Sequence, residues 1–401
     1  MRRSQLVLGG AIAIALAFGA TTPASVVADS ASYLDPARAW AGGWGLSEID
    51  GRPLQGRLPA YPFALGLLIR LFGESRTAFT LLNVVFHLLA VLAVHAGTGV
   101  ILKGRGPLRD GIAALAIVYP PLLTSTAFVL QESLLALLLA LCFLLAVYAL
   151  DKPSTWRSLL AGASLGLACL AKATALPLLV PLAVALWRVG KPSLGRGLLG
   201  LVGLALVTLP WAVHNHAVAG RFELTNNNGG FTLLGGTVSN TLDWRDFPEM
   251  REAMARWDAG EKYRYSIPDR FFYRVALERI RADPLRWSRL VAGRVLRFVL
   301  PARGYFVAVG RSRLGSFGPW QLAAIAVQIG LFASMLWLAW RALRDRGPLP
   351  CLVAPTIVLV HWAVYALTFV QARYGVTVGP VLFGCLTLAV AMADDRAHHR
   401  R

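Results

Sequence analysis

Five charged side chains stand where a phosphate-bearing substrate could be handled at one surface of an otherwise apolar chain. Asp29 follows the first long apolar run, in Asp29-Ser30-Ala31-Ser32-Tyr33-Leu34, and Glu132 opens a later one in Leu130-Gln131-Glu132-Ser133. Either acid alone is ordinary: a solvated helix end, or a carboxylate meeting the positive end of a helix dipole. Together, at the same depth, they offer a general base and a second carboxylate to orient a partner. Three cations complete the set. Arg57 precedes Pro59-Ala60-Tyr61-Pro62, Lys172 lies in Leu170-Ala171-Lys172-Ala173-Thr174, and Arg373 lies in Gln371-Ala372-Arg373-Tyr374. A cation in a short outer loop runs against the usual charge bias, so either snorkelling to lipid headgroups or a phosphate partner explains each one. His87 follows Asn83 by four residues, and one helical face shared by the two reads as an interhelical hydrogen bond rather than catalysis.

These residues must be positioned by membrane helices. The chain has 401 residues, of which 56% are hydrophobic and 15% charged, and its mean hydropathy is +0.57. Such a composition exceeds what one water-soluble core can hide. The net charge of +19 does not point to nucleic acid, because lysine and arginine fall in short clusters between apolar runs. Those clusters are Arg2-Arg3, Lys103 to Arg109, Lys152 to Arg157, Arg188 to Arg196, Arg341 to Arg346 and Arg396 to Arg401. Placed in the cytoplasm, they satisfy the positive-inside rule at every short loop. Cys142, Cys169, Cys351 and Cys385 lie in or beside apolar runs and read as packing residues.

The expected fold is an all-α polytopic membrane protein of about ten transmembrane helices, with outer juxtamembrane helices and a small periplasmic domain, α-rich or mixed. Leu6 to Val27 is the first crossing; a cleaved signal peptide ending at Ala28 is the competing reading, and either leaves Asp29 outside. The first outer loop spans 28–75 and includes Phe63 to Phe72, too short to cross and so expected to rest on the outer leaflet. Thr77 to Leu102, Gly111 to Thr126 and Gln131 to Leu150 follow. Positive clusters flank Leu159 to Trp187 on both sides, which demands a hairpin turning near Lys172. Leu198 to Val213 closes a catalytic transmembrane domain, 1–213. Residues 214–316 read as a non-cytoplasmic domain. In it Arg286, Arg289, Arg294 and Arg297 recur at helical spacing opposite Leu290, Val291, Val295, Leu296 and Val299, the pattern of a basic amphipathic helix on a membrane surface. Residues 317–401 hold three more crossings and a cytoplasmic tail.

Several motifs resemble the GT-C glycosyltransferases, most closely family 39, the group of protein O-mannosyltransferases and aminoarabinose lipid A transferases. They are Asp29-x-x-x-Tyr33, Arg57-Leu58-Pro59-Ala60-Tyr61-Pro62-Phe63-Ala64-Leu65 with Leu71-Phe72-Gly73, Leu170-Ala171-Lys172-Ala173-Thr174, and Pro210-Trp211-Ala212-Val213-His214-Asn215 followed by Gly220-Arg221-Phe222. The resemblance implies an inverting transferase of the bacterial inner membrane, with its active site facing the periplasm. Its donor would be a polyprenyl-phosphate sugar; its acceptor a lipid, glycan or protein of the envelope. Asp29 would be the base and Glu132 a second catalytic acid. Arg57, Lys172 and Arg373 would hold the donor phosphate, and Tyr33, Tyr61 and Tyr374 would contact substrate. The resemblance names no definite cofactor. A divalent metal stays open, although Ser30 stands where many members carry an acid next to the first aspartate, which argues against a metal between paired acids. A transporter or lipid flippase is the alternative class, opposed by the scarcity of ionisable residues deep in the spans. A non-catalytic scaffold binding anionic glycans is a third.

Overall fold

A computed structural model describes residues 3–48, 51, 54, 56–103, 106–188, 194–220, 222–225, 229–240, 247–252, 269–300, 319–345 and 348–399. Among them the chain is helical, with a lone β-bridge between Ser25 and Phe128. In order the helices are α1 (Arg3–Thr21), α2 (Ala31–Ala41), α3 (Ala60–Phe72), α4 (Arg76–Leu102), α5 (Gly106–Val118), α6 (Pro120–Ser125), α7 (Glu132–Asp151) and α8 (Thr155–Ala171). Then come α9 (Leu179–Arg188), α10 (Leu194–Ala219), α11 (Gly229–Val238), α12 (Asp269–Ala282), α13 (Pro284–Val299), α14 (Pro319–Arg344), α15 (Pro350–Leu367) and α16 (Gly379–His399).

Among the described residues, seven helices are long and apolar enough to cross a bilayer: α1, α4, α7, α10, α14, α15 and the segment Arg373–Asp394 containing most of α16. The all-α polytopic fold read from the sequence is therefore correct. The other expected crossings coincide with shorter pieces: α5 with α6, which breaks at Pro120; α8; and α9 with the 3-10 turn Ala173–Leu178 before it. Among the described residues, helix length alone thus accounts for seven of the ten expected crossings. The turn at Lys172 expected from the flanking charges is present, since α8 ends at Ala171 and Lys172 is extended. Of the expected outer domain 214–316, residues 221, 226–228, 241–246, 253–268 and 301–316 lie outside the described residues, as do the clustered Arg2, Arg105, Lys191, Arg346, Arg400 and Arg401.

The local reasons for these helices are visible in their ends. Ser75 caps α4, its side chain accepting from the Ala78 amide, and Lys103 terminates that helix in the left-handed region at φ 46°. Asp283 caps α13 with Pro284 following, the arrangement that suits a helix start. Helix α7 is the hub: α4, α8 and α15 pack on it, and most of its side chains are buried. Helices α8 and α10 cross closely enough that a Cβ on Gly162 would come within 1.8 Å of the Gly200 carbonyl oxygen. Small residues at such a crossing let two backbones meet. Helix α1 is part of this bundle. Its Ala11, Ala15 and Gly19 are buried, it packs on α4 and α5, and Ser4 donates to Asp110 at 2.8 Å.

Asn83 and His87 have the structural roles their shared face implied. Asn83 Nδ2 donates to the carbonyls of Thr126 and Phe128 at 3.1 and 2.8 Å, and His87 Nε2 lies 3.0 Å from the Ile117 carbonyl. Asn83 clips α4 to the segment that leads into Glu132, and His87 ties α4 to α5.

Candidate active site

Five segments end at the same pole of the bundle. They are the turn after α1, the loop before α3, the start of α7, the end of α8 and the 3-10 turn Ala372–Val378 between α15 and α16. The first and third are joined by backbone hydrogen bonds. Ser25 N donates to the Ala127 carbonyl at 2.6 Å and Val129 N to the Ser25 carbonyl at 3.2 Å, while Ala24 N reaches the Arg76 carbonyl at 3.0 Å. Asp29 and Glu132 are thus carried on segments braced against each other, a link that no residue pattern in the sequence signals.

The charged residues meet as a chain. Asp29 Oδ1 lies 3.2 Å from Arg57 Nη2, and Asp29 Oδ2 is paired with Arg373 Nη2. The same Arg373 guanidinium approaches Glu132 through Nε, at 3.3 Å from Oε1. Arg373 therefore sits between the two carboxylates. Glu132 is the most enclosed, its side chain 5% exposed against 28% for Asp29, and its Oε2 is buried with no hydrogen-bond partner among the described residues. Arg57 is fixed a second time, donating through Nε to Ser32 Oγ at 2.8 Å, and Ser32 Oγ in turn donates to the Asp29 carbonyl at 2.6 Å. Ser32 is a supporting residue that charge-based reading passed over.

Aromatic rings form the floor. Arg57 lies over Tyr33 at 4.8 Å, and Tyr33 meets Tyr61 edge-on at 5.4 Å. Lys172 Nζ sits 3.8 Å above the Tyr374 ring and 5.3 Å from that of Tyr365, and these two rings stack at 4.6 Å. Such cation–π contacts hold a cation without neutralising it. Burial pushes the Lys172 ammonium down to about 8 and holds the Tyr33 phenol well above its usual range. Tyr61, expected on substrate, is fully buried and its hydroxyl donates to Asn83 Oδ1 at 3.2 Å. It supports Tyr33 from behind. The other seven named residues come together at this pole.

Three cations facing two carboxylates leave one positive charge in excess, so the site suits an anion. A guanidinium lies between Asp29 and Glu132, and among the described residues no three His, Cys, Asp or Glu side chains converge.

Nothing in residue type or spacing singles out Tyr365 or Ser32, and the arginine stripe of α13, expected on a membrane surface, turns partly inward. Arg286 and Arg297 donate to the carbonyls of Val238 and Asn240, and Arg294 is fully buried. The physical reason is that α11 ends at Val238 with unpaired carbonyls, which these guanidinium groups satisfy.

Residues 53–214 match the family model described as dolichyl-phosphate-mannose-protein mannosyltransferase. No curated protein matches the chain. Among solved structures, the oligosaccharyltransferase of Archaeoglobus fulgidus in the apo form aligns with a TM-score of 0.56 at 15% identity, over 100% of this chain and 51% of its own. The chain thus spans about half the length of that protein. The oligosaccharyltransferase AglB from Archaeoglobus fulgidus, in complex with an inhibitory peptide and a dolichol-phosphate, aligns with a TM-score of 0.53 at 14% identity, over 98% of this chain and 51% of its own. ArnT from Cupriavidus metallidurans aligns at 19% identity with a TM-score of 0.45, covering 96% of this chain and 77% of that one, and has also been solved bound to undecaprenyl phosphate. At these identities the likeness to the oligosaccharyltransferase is one of fold.

Proposed function

We propose that the chain is a GT-C glycosyltransferase and that it moves a sugar from a polyprenyl-phosphate-linked donor to an envelope lipid, glycan or protein, on the outer side of a bacterial inner membrane; the family match over 53–214 and the shared fold support this reading. The observation that carries this reading is the convergence of Asp29 and Glu132 around Arg373, with Arg57 and Lys172 beside them, at one pole of a membrane bundle.

The chemistry follows from those groups. The donor phosphodiester carries one negative charge, which the excess cation matches, and gains a second as it leaves. Arg57, Arg373 and Lys172 are placed to offset that growing charge, the kind of stabilisation that acts more on the transition state than on the ground state. The acceptor hydroxyl attacks the anomeric carbon from the face opposite the phosphate. An oxygen–carbon bond forms, the carbon–oxygen bond to phosphate breaks with its electron pair leaving on phosphate, and Asp29 takes the hydroxyl proton. A single displacement of this kind inverts the anomeric centre. Glu132, with its unpaired buried oxygen, is suited to accept a hydrogen bond from a sugar or acceptor hydroxyl.

The test is to incubate the purified protein in nanodiscs with polyprenyl-phosphate sugars extracted from the envelope and to follow release of free polyprenyl phosphate by mass spectrometry. Release by the wild type and its loss in Asp29→Asn is expected. Movement of donor across liposomes without any release would instead identify a flippase.

A further inference from the structure

Arg294 is fully buried on α13, outside the charged cluster, and faces three carbonyls. Its Nε donates to the Leu290 carbonyl of its own helix at 3.2 Å, its Nη2 to Gly236 of α11 at 2.9 Å, and its Nη1 to Thr368, the residue that ends α15. Two of these carbonyls belong to helix ends, where no further amide of the same helix is available. One guanidinium thus ties α13, α11 and the end of α15 together. The junction is close: a Cβ on Gly236 would fall 1.7 Å from the Thr368 carbonyl oxygen and 2.5 Å from Arg294 Nη1.

Thr368 opens the short segment that carries Arg373 and Tyr374. One helical turn beyond Arg294, Phe298 stacks on Tyr365 at 5.5 Å, and Tyr365 stacks on Tyr374 beneath Lys172. A Cβ on Gly375 would lie 2.7 Å from the Phe298 carbonyl oxygen. The Trp362 indole of α15 donates to the Val295 carbonyl at 3.1 Å. The inner face of α13, from Arg294 to Phe298, is therefore applied along the last turn of α15 and the turn that follows it.

We infer that Arg294 is a positioning residue for the donor-phosphate site, holding the Thr368-to-Tyr374 segment so that Arg373 lies between Asp29 and Glu132 and Tyr374 lies under Lys172. A guanidinium suits this task because its fork reaches three acceptors in fixed directions, which a lysine ammonium on a flexible stem does not reproduce. The inference rests on the transferase reading for its functional meaning, but its geometry can be tested apart from it. Displacement of a binding group by about 1 Å is enough to cost up to about 100-fold in turnover.

The experiment uses the full-length protein in nanodiscs, as wild type, Arg294→Lys and Arg294→Met. Two quantities are read: the pH midpoint of Lys172 reactivity toward an amine-acylating reagent, by mass spectrometry, and the affinity for undecaprenyl phosphate. In the variants the Lys172 midpoint should rise from about 8 toward the ordinary lysine range as the Tyr374 floor shifts, and the affinity should fall by about tenfold, with Arg294→Lys the milder of the two. Folded variants whose Lys172 midpoint and affinity equal those of the wild type would overturn the inference. So would failure of both variants to accumulate, since Arg294 would then be a folding residue. If the wild type itself does not bind undecaprenyl phosphate, the transferase reading fails, while the Lys172 midpoint still decides the role of Arg294.

Discussion

The Arg373 guanidinium is ion-paired with the Asp29 carboxylate across 344 residues of sequence, closing the site between the two ends of the chain. Its other edge faces Glu132, so one side chain sets the relation between the acid proposed as base and the acid proposed to orient substrate.

Arg373→Gln removes that shared cation and leaves an enclosed carboxylate without its partner. Breaking one side of such a buried pair costs about 3–5 kcal/mol. Transfer should fall by at least about 100-fold, as expected where a group stabilises charge developing in the transition state. The rate of polyprenyl phosphate release, measured on protein shown to be folded by its elution profile, checks this.

Arg57→Lys keeps the charge but cannot reproduce both contacts, one to Asp29 and one to Ser32 Oγ. Weaker donor binding is expected, with KM for the donor raised about tenfold and kcat changed less. Initial rates over a range of donor concentrations separate the two parameters.

Lys172 gives a pH signature. Its ammonium has a lowered value of about 8, so it is charged below that pH and neutral above it. Donor affinity should therefore decline as pH rises through about 8, and binding near pH 8.5 should be accompanied by proton uptake, because phosphate favours the charged lysine. Calorimetry in buffers of different ionisation enthalpy reads that uptake. Lys172→Arg, which stays charged, should lose the decline.

Gly162→Ala tests the packing beneath the site. With the Gly200 carbonyl oxygen 1.8 Å from the new Cβ, α8 and α10 must separate. Forced overpacking costs about 1–3 kcal/mol. A lower melting temperature is expected, along with reduced activity, since α8 delivers Lys172.

How much of this could be read from the sequence depends on the range of the signal. Apolar runs and their flanking cations place each long helix, and the like charges on both sides of Leu159 to Trp187 reveal the break at Lys172, because bilayer and charge bias act on local composition. The same topology brings Asp29, Glu132, Arg57, Lys172 and Arg373 to one pole. What it cannot specify is pairing at ångström range. The Ser25–Phe128 bridge is made by backbone groups that every residue carries. Arg294 shares the spacing of its surface neighbours, so periodicity gives it a helical face but not the carbonyls of Gly236 and Thr368 that turn it inward. Tyr61 has the chemistry of a sugar-contacting ring, yet its hydroxyl is committed to Asn83.

The most direct measurement is a mass-spectrometric comparison of envelope lipids and glycans from wild-type, deletion and Asp29→Asn strains under expressing conditions. If Asp29 is the base of a sugar transfer, the deletion and Asp29→Asn profiles should coincide, with a polyprenyl-phosphate sugar accumulating and one glycosylated product missing. Identical profiles in all three strains, or an Asp29→Asn strain indistinguishable from wild type while the deletion differs, would contradict it.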